Sequence, residues 1–355
     1  MAIVPPVLGT NPRSFCNQAK DLPTPPAGAC LTDNRWKRMQ TLFYHYLLQF
    51  GTGIKAGIPV QEMLAGRFPH TIPIQPKPPG VHVEFTNHCN LQCSYCTNKD
   101  RPRPLGFMPD EVFNALLKSI HNDRISRVYL VGLGEPTLHP KFPEYLQALR
   151  SATKYISLTS NLNRLSKEQA ECIVNTPVNL LNISVDGFDK TSYETNRVNG
   201  KFELLLEHLE LIKTLKRKSG SKTLTNIRGM LPPSLFKKYA SIKTFWAPYA
   251  DEVSVQYIVN INGKTVDAFN VEAARGRYPK CSLPFKQLEV HWNGNVPLCT
   301  YSEHQEDNVG DYLLGNVLQH SLKELWQSSL ISHYRKAQKQ RDYDAMPLCN
   351  GCGGC

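Results

Sequence analysis

No apolar run in this 355-residue chain is long enough to span a bilayer, so no membrane partner is expected. The opening residues, Met1-Ala2-Ile3-Val4-Pro5-Pro6-Val7, lack a basic n-region and a proper apolar h-region, and a secretory signal is not expected there. There is no sequence-level repeat, which leaves a repeat architecture without support. Acidic residues are outnumbered, 30 against 41 basic ones, for a formal charge of +11. Such a balance raises the question of nucleic acid or an anionic substrate. The densest basic run, Lys213-Thr214-Leu215-Lys216-Arg217-Lys218, follows a helical stretch over Leu204–Ile212. These charges therefore read as the solvated C-terminal end of a helix, and nucleic acid is not an expected partner. Six of the 11 cysteines fall in two clusters of three, Cys89, Cys93, Cys96 and Cys349, Cys352, Cys355. That grouping argues for metal in a reducing cytoplasm rather than for disulfides, and a cytoplasmic location is expected.

The chemistry is concentrated in Cys89-Asn90-Leu91-Gln92-Cys93-Ser94-Tyr95-Cys96, a C-x3-C-x2-C pattern. Three thiolates so closely spaced can hold three irons of a cubane cluster and leave the fourth iron without a protein ligand. An open iron can coordinate a substrate or cofactor and pass it one electron. The other readings of these cysteines are a zinc site, which prefers C-x2-C pairs and a fourth ligand, and a structural disulfide. A β-rich run, Val81-His82-Val83-Glu84-Phe85, precedes the cysteines. Pro109-Asp110-Glu111 has the marks of a helix start after them. The cysteines thus fall in a loop from the C-terminal end of a strand, where α/β barrels place their chemistry.

Trp36, Met39, Leu42, Phe43, Tyr46, Leu47 and Phe50 recur at helical spacing and predict an amphipathic helix packed on the main domain. A proline-rich connector runs over Phe68–Gly80. From Val81 to about Ile258, strands and helices alternate in six units, implying a parallel sheet with right-handed crossovers. Beyond Arg275 the character changes. Asn293-Gly294 between Leu288–Trp292 and Asn295–Leu298 predicts a hairpin, and a helix is expected over Leu322–Gln338. The predicted organisation is an N-terminal extension over 1–80, an α/β barrel domain over 81–274 and a small cysteine-bearing domain over 275–355.

The cysteine motif is similar to the signature of the radical S-adenosylmethionine (SAM) superfamily, and the alternation matches that family's partial (β/α)6 barrel. The resemblance implies that Cys89, Cys93 and Cys96 carry a 4Fe–4S cluster whose open iron chelates SAM, and that reduction releases a 5'-deoxyadenosyl radical. Gly132-Leu133-Gly134-Glu135-Pro136 looks like the family's Gly-Glu-Pro motif, with Leu133 where a glycine is commoner. By resemblance, Gly134, Glu135 and Pro136 contact the amino group of SAM. Tyr95 borders the adenine, Ser160 and Asn161 reach the ribose hydroxyls, Ser184 faces SAM, and Arg197 pairs with the SAM carboxylate. A helix-capping turn at 159–161 and a surface role for Arg197 are the plainer readings.

Cys281 and Cys299 are joined as C-x12-G-x4-C through Gly294. This resembles the opening of the SPASM and shorter twitch extensions of the superfamily, which implies one auxiliary 4Fe–4S cluster on Cys281, Cys299, Cys349 and Cys352; the other reading is a zinc knuckle. Cys355 is left as a further ligand, a hydrogen donor or a free thiol. The single auxiliary cluster resembles 2-deoxy-scyllo-inosamine dehydrogenase and related sugar or cyclitol enzymes. That implies a small-molecule substrate oxidised at a hydroxyl-bearing carbon, with a flavodoxin- or ferredoxin-type electron donor. Epimerisation with Cys355 as catalytic hydrogen donor and maturation of a ribosomal peptide are the alternatives.

Overall fold

A computed structural model describes Lys55 and residues 73–96, 98, 103–176, 178–231, 238–257, 281–300, 302, 309–342 and 344–349. The chain divides into two compact units, Met1–Tyr44 and His45–Cys355, and every described residue belongs to the second. The helix expected over Trp36–Phe50, and Cys16, Cys30, Cys352 and Cys355, lie outside the described residues.

Seven strands form one parallel sheet: β1 Gly80–Val83, β2 Arg127–Leu130, β3 Tyr155–Ser160, β4 Leu180–Ser184, β5 Leu224–Leu231, β6 Glu252–Tyr257 and β7 Gln287–Val290. Their spatial order is β6-β5-β4-β3-β2-β1-β7. Between them run α1 Asp110–Asn122, α2 Phe142–Ala152, α3 Lys167–Asn175, α4 Lys190–Asn196, α5 Phe202–Ser219 and α6 Tyr239–Trp246. This is the partial barrel expected from the alternation. The helices begin and end for local reasons. Ser166 and Asp189 cap α3 and α4 in reciprocal capping boxes. Gly220, at φ +66°, ends α5 after Lys216, Arg217 and Lys218, so the basic run does close a helix.

The strands alternate, and their two faces have opposite chemistry. Val81, Val83, Val128, Leu130, Ile156, Leu158, Leu181, Ile183 and Ile227 pack outward into one core with Phe113, Leu116, Leu146, Leu149, Leu205 and Leu209 of the helices. Each fully buried side chain of this size contributes about 1.5–3 kcal/mol. The other face is polar. Asn182 donates to Ser157 Oγ at 3.2 Å, and Asn226 donates to Asn182 Oδ1 at 2.9 Å and to Ser254 Oγ at 3.0 Å. This row crosses β3, β4, β5 and β6. A closed barrel of this kind fills its interior with Val, Ile and Leu; here the inner face carries a row of hydrogen-bonded polar side chains.

The expected hairpin is corrected. The turn at 293–294 exists, with Gly294 at φ +85° and His291 N–H donating to Asn295 C=O at 2.9 Å. Its first arm is β7, however, which pairs in parallel with β1 instead of folding back on its successor. β8 Asn295–Pro297 pairs with β9 Leu313–Asn316. The reason lies in the alternation: Leu288 and Val290 are buried with the helix-side core, while Glu289 and His291 face the polar side. A seventh barrel strand therefore comes from beyond residue 275. A four-residue α7 spans Leu283–Lys286, and the helix expected over Leu322–Gln338 is two, α8 Leu322–Trp326 and α9 Ser329–Gln340. Arg335 of α9 lies over the Trp326 ring at 3.9 Å and donates to the Trp326 carbonyl at 2.7 Å, which locks the break.

Candidate active site

The loop from β1 to α1 is closed at its neck by two polar side chains. Thr86 Oγ1 donates to Gly106 C=O at 2.6 Å, and Asn87 takes up Pro104 C=O at 2.9 Å and Gly106 N–H at 2.8 Å. Within it, Cys89 and Cys96 are half-buried and Cys93 is buried. Leu91 N–H donates to Cys89 Sγ and Asn98 N–H to Cys96 Sγ, each at 3.5 Å. The loop is tied to the segment after β4 by Gln92 N–H to Val198 C=O at 2.9 Å and Ser94 N–H to Asn196 C=O at 3.0 Å. Burial pushes the Cys89 thiol up to about 12 and raises that of Cys93. Metal binding must therefore expel protons from these sulfurs. Among the described residues no three Cys, His, Asp or Glu side chains close on one metal-ion position. A cubane sets each thiolate on its own iron, so it does not need that convergence. Three thiols, two of them receiving backbone N–H bonds, fit such a cluster.

The glycine turn after β2 is pressed onto this loop. A Cβ on Gly134 would stand 2.3 Å from Thr86 C=O and 2.5 Å from His88 C=O, and Glu135 N–H donates to His88 C=O at 2.8 Å. The Glu135 carboxylate is buried and accepts from Ser160 Oγ at 2.7 Å, Asn161 N–H at 2.7 Å, Thr137 Oγ1 at 2.8 Å and Thr137 N–H at 3.3 Å. Burial raises its pKa, and these donors oppose the rise. Asn161 in turn reaches Asn90 Oδ1 at 3.0 Å and Cys89 Sγ at 3.9 Å. Gly134, Glu135, Pro136, Ser160 and Asn161 are thus brought together beside Cys89. Four of Glu135's contacts go to the protein itself, so it braces the end of β2 against the end of β3.

On the opposite side, Arg197 donates from Nε to Asp186 Oδ2 at 2.6 Å and forms a second contact of 2.6 Å to the same oxygen. The Tyr95 hydroxyl also bonds Asp186. Burial opposes the Arg197 charge, but Asp186 outweighs it and holds the guanidinium well above its ordinary pKa. Burial is also the main reason that the Tyr95 phenol is raised. Ser184 ends β4, two residues before Asp186. Asp186 was absent from the sequence-derived site; its signal is the polar end of the Ile183-Ser184-Val185-Asp186-Gly187 stretch.

A second missed residue is Glu84. Its carboxylate accepts from both Arg103 Nη atoms at 2.8 and 3.0 Å, from Trp292 N–H at 3.4 Å and from Leu133 N–H at 3.5 Å. Burial works against its ionisation, and the Arg103 bonds prevail, leaving its pKa lowered. One buried carboxylate thereby joins the cluster loop, the glycine turn and the segment after β7. Gly106 supports the same junction, since a Cβ there would meet the Trp292 ring at 2.5 Å. The sequence signal is a charged residue set between the apolar Val83 and Phe85 of a strand run.

Cys281, Cys299 and Cys349 are half-buried, and none of the described cysteines is in a disulfide. Cys299 follows β8, and Cys349 ends the short turn Pro347–Cys349. Both lie close enough to the Tyr334 phenol to raise its pKa further, behind the larger effect of burial. Cys299 is followed by Thr300, whose hydroxyl bonds Glu289 of β7. Cys299 therefore borders the barrel through β7.

Comparison with known proteins agrees with this geometry. Residues 83–233 match the Radical SAM superfamily, and residues 281–353 match SPASM, an iron–sulfur cluster-binding domain. The chain is similar to the tungsten-containing aldehyde ferredoxin oxidoreductase cofactor-modifying protein of Pyrococcus furiosus, at 20% identity over 77% of this chain and 86% of that protein. Its fold is similar to Streptococcus suis SuiB bound to precursor peptide SuiA, with TM-score 0.59, 13% identity, and coverage of 91% of this chain and 77% of that one. It is also similar to anSMEcpe with bound AdoMet and Cp18Cys peptide, with TM-score 0.55, 17% identity, and coverage of 73% and 83%. Among the described residues no helix is long and apolar enough to cross a membrane. The chain is a radical SAM enzyme, with a Radical SAM domain over residues 83–233 and a SPASM domain over residues 281–353, and its cofactors are SAM, a 4Fe–4S cluster and an auxiliary iron–sulfur cluster.

Proposed function

We propose that this enzyme abstracts a hydrogen from a C–H bond of a peptide substrate held in the polar lumen of the barrel. The observation that carries the reading is the lumen itself, whose walls are Ser157, Asn182, Asn226 and Ser254 on one side and Glu84, Glu289 and His291 on the other. Peptide groups need many hydrogen-bond partners when they leave water, and such walls supply them. The bound cluster and SAM supply a primary carbon radical. This chain's residues orient and shield it. Cys89, Cys93 and Cys96 hold the first cluster; Gly134, Glu135 and Pro136 frame the amino end of SAM, Ser160 and Asn161 its ribose, and Tyr95, Ser184 and Arg197 the remaining wall. Cys281, Cys299, Cys349 and Cys352 hold the auxiliary cluster, in a division of the chain into 1–80, 81–274 and 275–355.

The sequence reading put a sugar or cyclitol first. The relatives named above do not support it. One is named as modifying a cofactor, and two solved neighbours carry peptides. Peptide maturation is therefore preferred to carbohydrate oxidation, and a flavodoxin- or ferredoxin-type protein remains the proposed electron donor. The test is anaerobic incubation with SAM and reductant, following 5'-deoxyadenosine, with candidate precursor peptides and with cell-extract metabolites in parallel. Peptide-dependent product, read by mass spectrometry in D2O, supports the proposal. A loss of two hydrogens means oxidation, and unchanged oxidation state with one deuterium means epimerisation. Turnover of a small metabolite with every peptide inert would refute it.

A further inference from the structure

Among the described residues, the carboxylates named at the lumen are matched. Glu84 is held by Arg103, Asp186 by Arg197 and Tyr95, and Glu289 by Thr300, with His291 at 3.7 Å. Arg228 of β5 is different. Its register partners are Ser184 on β4 and Ser254 on β6, both neutral. Two residues before it, Asn226 bonds Asn182 and Ser254 in the polar row, so by alternation Arg228 also faces the lumen. Its charge is felt across the lumen by His82 on β1, where it adds to the burial that lowers that imidazole to about 4. No acid answers it. Burial is the one influence on its own titration, bringing it down to about 10, and it stays cationic at neutral pH.

An unmatched guanidinium in a half-buried place is costly, because the desolvation of a charge is offset only by a partner. Residues of this kind are retained where a ligand brings the opposite charge. The planar fork of arginine suits a carboxylate or a phosphate, which it can grip by two bonds. Ser184 and Ser254 on either side offer hydroxyl donors to the same anion. We propose that Arg228, flanked by Ser184 and Ser254, anchors an anionic group of the substrate, a carboxylate or a phosphate, inside the lumen. The inference rests on the lumen being the substrate chamber. Ser184 is two residues from Asp186, which binds Tyr95 of the cluster loop. An anion gripped at Arg228 thus fixes the substrate beside the wall where the radical forms and decides which C–H bond faces it.

The experiment uses phenylglyoxal, which modifies arginines not engaged with anions, on wild-type protein reconstituted anaerobically, with and without SAM. Adducts are located by peptide mapping, with Arg228→Gln identifying the Arg228 peptide. Arg228 is expected to react several-fold faster than the ion-paired Arg103 and Arg197. Glutarate or inorganic phosphate should then slow its labelling several-fold in the presence of SAM. Protection by glutarate alone identifies a carboxylate, and by phosphate alone a phosphate ester. Absence of an Arg228 adduct, protection by neither anion, or full protection by SAM alone would overturn the proposal, the last by giving Arg228 to SAM. Production of 5'-deoxyadenosine is followed in unlabelled samples. Its absence would count against the radical SAM reading of the lumen and is read separately from the labelling.

Discussion

Adding one methyl group at Gly134 should disable the site from a distance. The new Cβ would stand 2.3 Å from Thr86 C=O, 2.5 Å from His88 C=O and 2.8 Å from the Asn87 carbonyl carbon. These are backbone atoms, with no flexible side chain to swing aside. Reaching an ordinary contact of about 3.4 Å requires the turn and the cluster loop to part by about 1 Å. That separation breaks the 2.8 Å bond from Glu135 N–H to His88 C=O and shifts the residue next to Cys89. Overpacking of this kind costs about 1–3 kcal/mol and the lost hydrogen bond about 1 kcal/mol more. The sum, about 2–4 kcal/mol, lowers Tm by about 3–6 °C for a unit of this size. Gly134→Ala should also load less iron in the first cluster and make less 5'-deoxyadenosine. Gly310→Ala is the control, because nothing lies within 4 Å of a Cβ at that position. The assays are calorimetry, iron analysis after anaerobic reconstitution and product quantitation. Wild-type Tm, iron and cleavage in Gly134→Ala would refute the claim that this turn and the cysteine loop are packed as one unit.

Reconstituted protein should hold about eight irons, two cubanes, and the triple Cys→Ala variant at Cys89, Cys93 and Cys96 about four, with SAM cleavage lost; zinc in their place would end that reading. Glu84→Gln leaves Arg103 with a neutral partner, and unfolding should show a loss of about 3–5 kcal/mol. Because the folded-state pKa of Glu84 is lowered, its stabilisation is present above the ordinary carboxylate pKa and lost as pH falls through the folded value. The Tm gap between wild type and Glu84→Gln should therefore close in acid; a gap that widens there contradicts the assignment. Arg197→Lys keeps a charge but not the two contacts to Asp186, and calorimetry should show SAM affinity reduced roughly tenfold or more at unchanged iron content. Unchanged affinity would assign Arg197 to the frame of the site alone.

The sequence by itself determined what depends on short spacing. Cys89, Cys93 and Cys96 stand out as a candidate ligand set because they lie within one short stretch, C-x3-C-x2-C. The Gly-Glu-Pro turn follows a strand by position, and six strand–helix units are visible in their alternating hydrophobicity. The tertiary structure decided what depends on register and on which faces are covered. Glu84 and Glu289 lie in runs that the sequence marks only as β-rich; the covering of the other sheet face by helices is what turns them inward. Pairings such as Tyr95 with Asp186 and Glu135 with Ser160 join the ends of different strands, Arg103 with Glu84 closes one long loop, and no local spacing encodes which side chains will meet there. The parallel seating of β7 against β1 is of the same kind. A hairpin turn at Gly294 specifies the bend, but burial of Leu288 and Val290 chooses the partner, and the apolar face of the barrel offers more burial than a two-stranded ribbon.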